Sequence, residues 1–479
     1  MASIADYHAL TSHRRGHITG RVPFQENRPA PFKRYPDGPV ARVVEAEPPD
    51  VPLDRAAQNA PRSGQADLPA LLLACCGLAA GISQARTLPS GRVFHLRTVP
   101  SAGALYPTEL YLVVQNVIGL DDGVYHYSPL THSLGQLRAG SALAGPRGEG
   151  GGGPMARFLL TSIFFRSAWK YGPRAYRYCL LDAGHMAQNL LLATAMHGLD
   201  GRLDYDFDDA AANAMLGVDP DLEGCLAMVH ALGCDRATTW AAPPRATLDG
   251  LPGFSRCAPR PDAPPELLDA HQATASFARC PLPMAAGPDR EFTPLPAPVV
   301  PASAATTIMA RRSRRDFLPR PVPARDLTDI LGLLCRSPGP DCSGATTTRL
   351  LAGPDSGLTP GRHHLHQTPP ALSLTAPGLF LARAARVCLD QGWLESASLH
   401  LTFTADLDGL LARCGPRAYR HIHLDAGRLG QMACLGATAK RLGACGIGAF
   451  FDQEAATLLD LPQGHALLYL VAVGCVRNP

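Results

Sequence analysis

Three short stretches of the sequence have residue types and spacing suited to chemistry. Residues 311–315 read Arg-Arg-Ser-Arg-Arg, so Arg311, Ser313 and Arg315 alternate with two further arginines. A guanidinium fork and a hydroxyl match the oxygens and double charge of a phosphate group. A solvated basic patch is the competing reading. Lys170-Tyr171 sets an amine beside a phenol. Such a pair can take up and relay a proton if the amine is desolvated. The competing reading is a surface charge next to a core aromatic. Pro100-Ser101-Ala102-Gly103 precedes an alternating run. Its small residues either make a turn or let backbone N–H groups approach a ligand closely.

The Lys-Tyr pair stands just before a segment that the chain carries twice. From Gly172 and from Gly415, 11 of 18 positions are identical. A second anchor pairs Gly119 with Gly357, and a third pairs the runs that end at Gly233 and Gly474. Three anchors in one order imply a duplication of about 240 residues. The expected division is a first repeat over 1–240, a Pro-rich linker over 241–301 and a second repeat over 302–479. A length of 479 residues also exceeds one ordinary core.

The elements needed to position these stretches are legible in outline. Thr108–Gln115 alternates and is β-rich, so it is expected as a strand. Gly123–Leu137 reads as a hairpin, and Gly148–Pro154 as a flexible loop. Leu68–Ile82 reads as a buried helix, too short to span a bilayer. Asp182 is expected to N-cap a helix running to His197, with Asp425 doing the same in the second copy. The latter helix carries Gly427, Gly430, Ala433, Gly436 and Ala437, small enough for a close helix crossing at a pseudo-twofold axis. Further elements are a helix at Arg325–Leu334 and strands at 225–233 and 466–474. Helices on a mixed sheet, twice over, give an α+β class and an intramolecular pseudo-dimer.

Composition excludes several roles. The chain is 46% hydrophobic and 18% charged, with a net charge of +3. No nucleic-acid or membrane footprint is expected. Its 14 cysteines show no CxxC pairs or His-rich spacing. No metal site is expected, and the thiols read as small buried hydrophobes. The N-terminus lacks a signal-peptide core, so a cytoplasmic location is expected.

The stretch Arg97–Val114, with Gly123–Tyr127 and the segment from Lys170 to Asn189, resembles the SagB-type azoline oxidases. These are a branch of the FMN-dependent nitroreductase superfamily. Residues 29–39 are similar to that branch as well. Ile308–Phe317 resembles the superfamily's phosphate-binding segment, and Gly446–Asp452 its glycine-rich stretch along the flavin. The resemblance implies a nitroreductase-like fold and bound FMN. It implies cofactor contacts from Arg311, Ser313, Arg315, Gly446 and Gly448 in the second repeat. From the first it implies Arg97, Pro100, Ser101 and Gly103. It implies catalysis by Lys170 and Tyr171, on a thiazoline or oxazoline ring carried by a peptide or small molecule. A cyclodehydratase is the protein partner it suggests.

The two repeats have lost complementary parts. The first keeps Pro100–Gly103 and Lys170-Tyr171, but has only a remnant near Arg62 and the less apt residues 201–209. The second keeps 311–315 and 446–452, but has Arg413-Cys414 where the first has Lys-Tyr. In the superfamily the flavin takes parts from both subunits of a dimer. One composite FMN site per chain is therefore expected. Two alternatives stay open: an NAD(P)H-dependent nitroreductase-like reductase of a small molecule, and a non-catalytic flavin-binding scaffold subunit.

Overall fold

The computed structural model describes residues 3–18, 23–36, 38–44, 46–58, 67–87, 89, 91, 93–144, 152–275, 292–336 and 345–477. Residues 148–151 of the expected loop, 61–66 around the remnant Arg62, and 276–291 of the expected linker lie outside them. The chain divides into two compact units. One comprises Gly20–Asp50 and Asn59–His271. The other comprises Met1–Thr19, Val51–Gln58 and Gln272–Pro479. The N-terminal segment thus belongs with the second repeat.

The first repeat's unit begins with helix α1, Leu68–Ala80. Asp67 caps it by accepting from the Ala70 N–H, and Pro69 occupies its first turn. Strands β1 Thr108–Gln115, β2 Gly123–Ser128, β3 Ser133–Ala139 and β4 Met155–Ile163 follow. Helix α2 Phe164–Tyr171 and the long helix α3 Ala175–Met196 come next, then strands β5 Arg202–Asp204, β6 Glu223–Ala231 and β7 Arg245–Ala246. The strands form one sheet in the order β7-β3-β2-β1-β4-β6-β5. Strands β1, β4 and β6 are buried nearly throughout.

The second unit repeats this plan. Strand β8 Thr293–Pro294 comes first, then helices α4 Ala304–Ala310 and α5 Ala324–Arg336, then strands β9 Thr347–Ala352, β10 Gly361–Gln367 and β11 Pro370–Pro377. Helix α6 Leu381–Val387, strand β12 Leu399–Asp406, helices α7 Leu407–Cys414 and α8 Arg417–Ala439, strand β13 Gly443–Ile447, helix α9 Asp452–Leu459 and strand β14 His465–Gly474 complete it. The order β8-β11-β10-β9-β12-β14-β13 matches the first sheet except at the edge, where β7 follows the other strands of its copy in the chain and β8 precedes those of its own.

Three expectations are corrected. The sheets are not mixed: every strand pair within them is antiparallel. Short hairpins such as β2–β3 and β10–β11 can pair only in that sense. Asp182 and Asp425 are not N-caps. Each lies in the second turn or beyond of a longer helix, because the preceding helix ends at a glycine, Gly172 (φ 55°) or Gly415 (φ 70°), and the new helix starts soon after it. Cys414 is disulfide-bonded, whereas most other described cysteines are free and buried, as expected for small hydrophobes.

Gly436 of the small-residue stripe packs against Ile330 and Leu333 of α5 within its own unit. No helix among the described residues is long and apolar enough to cross a membrane.

Candidate active site

Lys170 and Tyr171 end α2, which stops because Gly172 adopts a positive φ that continues no helix. A cation in the last turn also suits the helix dipole. Lys170 is exposed and Tyr171 half-buried. The Tyr171 ring packs edge-on against Tyr178 of α3 at 4.7 Å, and Lys170 Nζ lies 5.3 Å from the Tyr171 ring centre. The rest of α2 is anchored inward. Buried Arg166 ion-pairs with Glu109 and donates to the carbonyls of Tyr106 and Ala30, each at 3.0 Å.

The Pro100–Gly103 stretch lies against this pair. A Cβ placed on Gly103 would stand 2.8 Å from the Tyr171 hydroxyl and 3.4 Å from Lys170 Nζ. Only glycine fits there without displacing them. The loop is also conformationally demanding: Gly103 (φ 62°), Ala104 (φ 53°) and Tyr106 (φ 48°) are all left-handed. Such backbone persists only where its surroundings over-determine it.

Two buried charges do so. At the near end Ser101 Oγ donates to Asp182 Oδ2 at 2.6 Å, and the Ala102 N–H donates to Oδ1 at 3.3 Å. The Tyr106 N–H closes the turn by donating to Ser101 Oγ at 2.9 Å. At the far end Arg166 holds the Tyr106 carbonyl. Burial pushes the Asp182 carboxyl up to about 7, against the pull of its bonds from Ser101 and Ala102.

Asp182 and Arg166 are the residues that sequence reasoning missed. Asp182 did carry a signal, since it recurs as Asp425. Its use differs between the copies. Arg428, three residues after Asp425, donates to that carboxylate at 2.8 Å. The first repeat has His185 at the corresponding place. Among the described residues Asp182 has no cationic partner and instead holds the loop.

Arg97 sits just before the loop, and its guanidinium is fully buried. It donates to the Pro31 carbonyl at 2.8 Å and lies between the rings of Phe32 and Tyr106, at 5.1 and 5.0 Å. Burial lowers its pKa to about 10, partly opposed by Glu109. Its position braces the loop from beneath. Pro100 is half-buried at the loop's start.

In the other unit, residues 311–315 run beside β13. Ser313 pairs with Ala444 in parallel register, and the Arg314 N–H donates to the Ala444 carbonyl at 2.9 Å. Alternation along this extended stretch sorts the side chains. Arg314 is paired with Asp316 at 2.9 Å, and Arg312 donates to the carbonyls of Met309 and Arg311. Ser313 and Arg315, on the opposite side, are exposed. Arg315 lies 5.9 Å from the Trp393 ring and against the Cys445 thiol. Arg311 is buried, close enough to Cys434 and Cys445 for its charge to oppose the rise that burial imposes on both thiols.

The exposed hydroxyl and guanidinium, two residues apart with no carboxylate partner among the described residues, fit a phosphate-bearing cofactor in charge and donor type. Gly446 has a local reason to be glycine, since a Cβ there would overlap the Tyr469 hydroxyl. Gly448 is half-buried beyond the strand's end.

The model of the Nitroreductase family matches residues 65–233 and again 308–475. The chain belongs to the nitroreductase family. The two matches fall on the two seven-stranded sheets, so the nitroreductase fold is present twice in tandem.

Curated relatives include the trifolitoxin-processing protein TfxB of Rhizobium leguminosarum bv. trifolii, 34% identical over 149 residues. That match covers 28% of this chain and 40% of the relative. The microcin B17-processing protein McbC of Escherichia coli is 32% identical over 133 residues, covering 26% of this chain and 49% of the relative. The chain thus spans about half the length of the curated relatives it matches. These peptide-processing relatives bear out the resemblance to the SagB-type branch. A crystal structure described as that of a nitroreductase from Anabaena variabilis covers 100% of both chains at a TM-score of 0.79 and 23% identity, a likeness of fold.

Proposed function

We propose that this nitroreductase-family chain is an FMN-dependent oxidoreductase that converts thiazoline or oxazoline rings in a peptide to thiazole or oxazole. One observation carries the reading: the glycine loop at 100–103 closes directly on Lys170 and Tyr171. Similarity to a trifolitoxin- and a microcin-processing protein supports the substrate class. A cyclodehydratase that makes the azoline is the partner this reading implies, and a cytoplasmic setting suits it.

The motifs divide without overlap. Arg311, Ser313, Arg315, Gly446 and Gly448 of the second repeat, and Pro100, Ser101 and Gly103 of the first, are the residues this reading gives to the cofactor. Arg97 would act through the loop it braces. One complete set implies one FMN per chain. FMN, when bound, supplies a hydride acceptor.

Aromatising an azoline ring removes a proton from one carbon and a hydride from its neighbour. Lys170 Nζ takes the proton, and the Tyr171 hydroxyl orients the amine or relays that proton. Arg166 and Asp182 hold the geometry. Turnover needs an external oxidant, most simply O2.

The test is incubation of the purified chain and FMN with a thiazoline-bearing peptide. A loss of 2 Da per ring, read by mass spectrometry, is expected. The family match itself favours one second reading, reduction of a small molecule by NAD(P)H. Rapid bleaching of bound flavin by NADPH in stopped flow, with no change in the peptide, would put that reading first.

A further inference from the structure

The N-terminal segment and the second repeat's own unit line a cavity of roughly 460 Å³ that shares only Phe451 with the stretches assigned above to cofactor and catalysis. Its walls carry Arg14, Arg383 and Arg386, and its apolar floor includes Val387, Phe451 and Leu458. Arg383 and Arg386 are three residues apart on α6, so they share a helix face. Arg14 faces the same space from the N-terminal segment.

The charge arrangement is unusual for a surface. Arg15, between these groups, is fully engaged: it pairs with Glu454 at 2.8 Å and Asp390 at 3.1 Å, and lies 4.5 Å over the Phe451 ring. Asp452, at the start of α9, accepts from the His13 N–H at 2.8 Å. The nearby carboxylates therefore serve Arg15 and the backbone. Among the described residues no carboxylate serves Arg14, Arg383 or Arg386. Three unneutralised guanidinium groups around one concave space repel each other, and a low-dielectric wall focuses that field.

We propose that this cavity binds a small organic phosphate, its phosphate oxygens taken by the forks of Arg14, Arg383 and Arg386 and its apolar part set on Val387, Phe451 and Leu458. Guanidinium geometry matches phosphate oxygens in pairs. The cavity volume falls in the range of small-molecule sites. This site is independent of the azoline reading.

Calorimetry on the FMN-loaded full chain tests it, with phenyl phosphate, inorganic phosphate and benzoate as probes. Phenyl phosphate should bind tighter than inorganic phosphate, and benzoate weakest. The double variant Arg383→Ala, Arg386→Ala should weaken phenyl phosphate about tenfold or more, as loss of two charge-assisted contacts implies. Arg14→Ala should weaken it independently. All three side chains are exposed, so the variants should keep the wild-type melting temperature.

Unchanged phenyl phosphate affinity in both variants would overturn the assignment, as would displacement of that probe by added FMN. Equal binding of benzoate would overturn the phosphate class. Binding of inorganic phosphate as tight as phenyl phosphate would remove the apolar floor from the proposal.

Discussion

Ser101 Oγ donates to Asp182 Oδ2 at 2.6 Å, and this bond ties a strained loop to the middle of a buried helix. The loop it holds is the one packed on Lys170 and Tyr171. Asp182→Asn and Ser101→Ala should each slow ring oxidation about tenfold or more, since a hydrogen bond to a charged group contributes about 1.5–3 kcal/mol. The double variant should be little worse than either single one, because both remove the same bond. Additive losses would show that the two residues act separately.

Asp182 also gives a pH signature. Its folded-state pKa is raised to about 7 from 3.8, so the folded chain binds the proton more tightly than the unfolded chain. The associated stability is present below 3.8 and is lost as pH rises through about 7. The melting-temperature advantage of wild type over Asp182→Asn should therefore shrink from about pH 5 to about pH 8. A constant difference across that window would mean the carboxyl titrates normally.

Gly103 faces both strain and crowding. Gly103→Ala should cost about 1 kcal/mol for its positive φ alone, and more because the new Cβ meets the Tyr171 hydroxyl. Gly250 has a similar φ of 65° and open space around it, so Gly250→Ala reports strain without crowding. The excess destabilisation of Gly103→Ala over Gly250→Ala, by thermal melting, measures the contact. Equal costs would place the loop away from Tyr171 in solution.

Lys170→Ala and Tyr171→Phe should keep FMN and lose azoline oxidation, by about 10²–10⁴-fold for removal of a general base. The matched control is Arg413→Ala, at an exposed residue paired with Asp406 at 3.5 Å. Cys414 is unsuited as a control because it is disulfide-bonded. Full activity in a Lys170→Ala, Tyr171→Phe double variant would remove the mechanism.

Cofactor binding separates the two sides of the 311–315 stretch. Ser313→Ala or Arg311→Ala should weaken FMN by about 1–3 kcal/mol. Arg314→Ala should not, because Asp316 already engages that guanidinium. Released flavin, measured by absorbance, should amount to about one equivalent per chain. Two equivalents would defeat the reading of one complete motif set.

Local patterns carry much of this fold. The duplication, the strand Thr108–Gln115 and the hairpin after Gly123 are of that kind, and they appear at their expected residues. Periodicity and turn chemistry act over a few residues, so one sequence exposes them. The start of α3 is an exception. Asp182 has the residue type of a cap, while Gly172-Pro173 is the true punctuation.

What the sequence by itself determined is the list of parts: two copies of one fold, with the phosphate-type motif in one and the Lys-Tyr pair in the other. Only the tertiary structure decided what each part touches. Asp182 and Ser101 are 81 residues apart and meet because α3 packs beneath the loop. Gly446 is glycine for the Tyr469 hydroxyl, a neighbour from the next strand. Arg97 reads as available to a ligand and is instead sealed between Phe32 and Tyr106. Burial and partner choice depend on chain segments distant in sequence, and one sequence does not encode that distance as a local pattern.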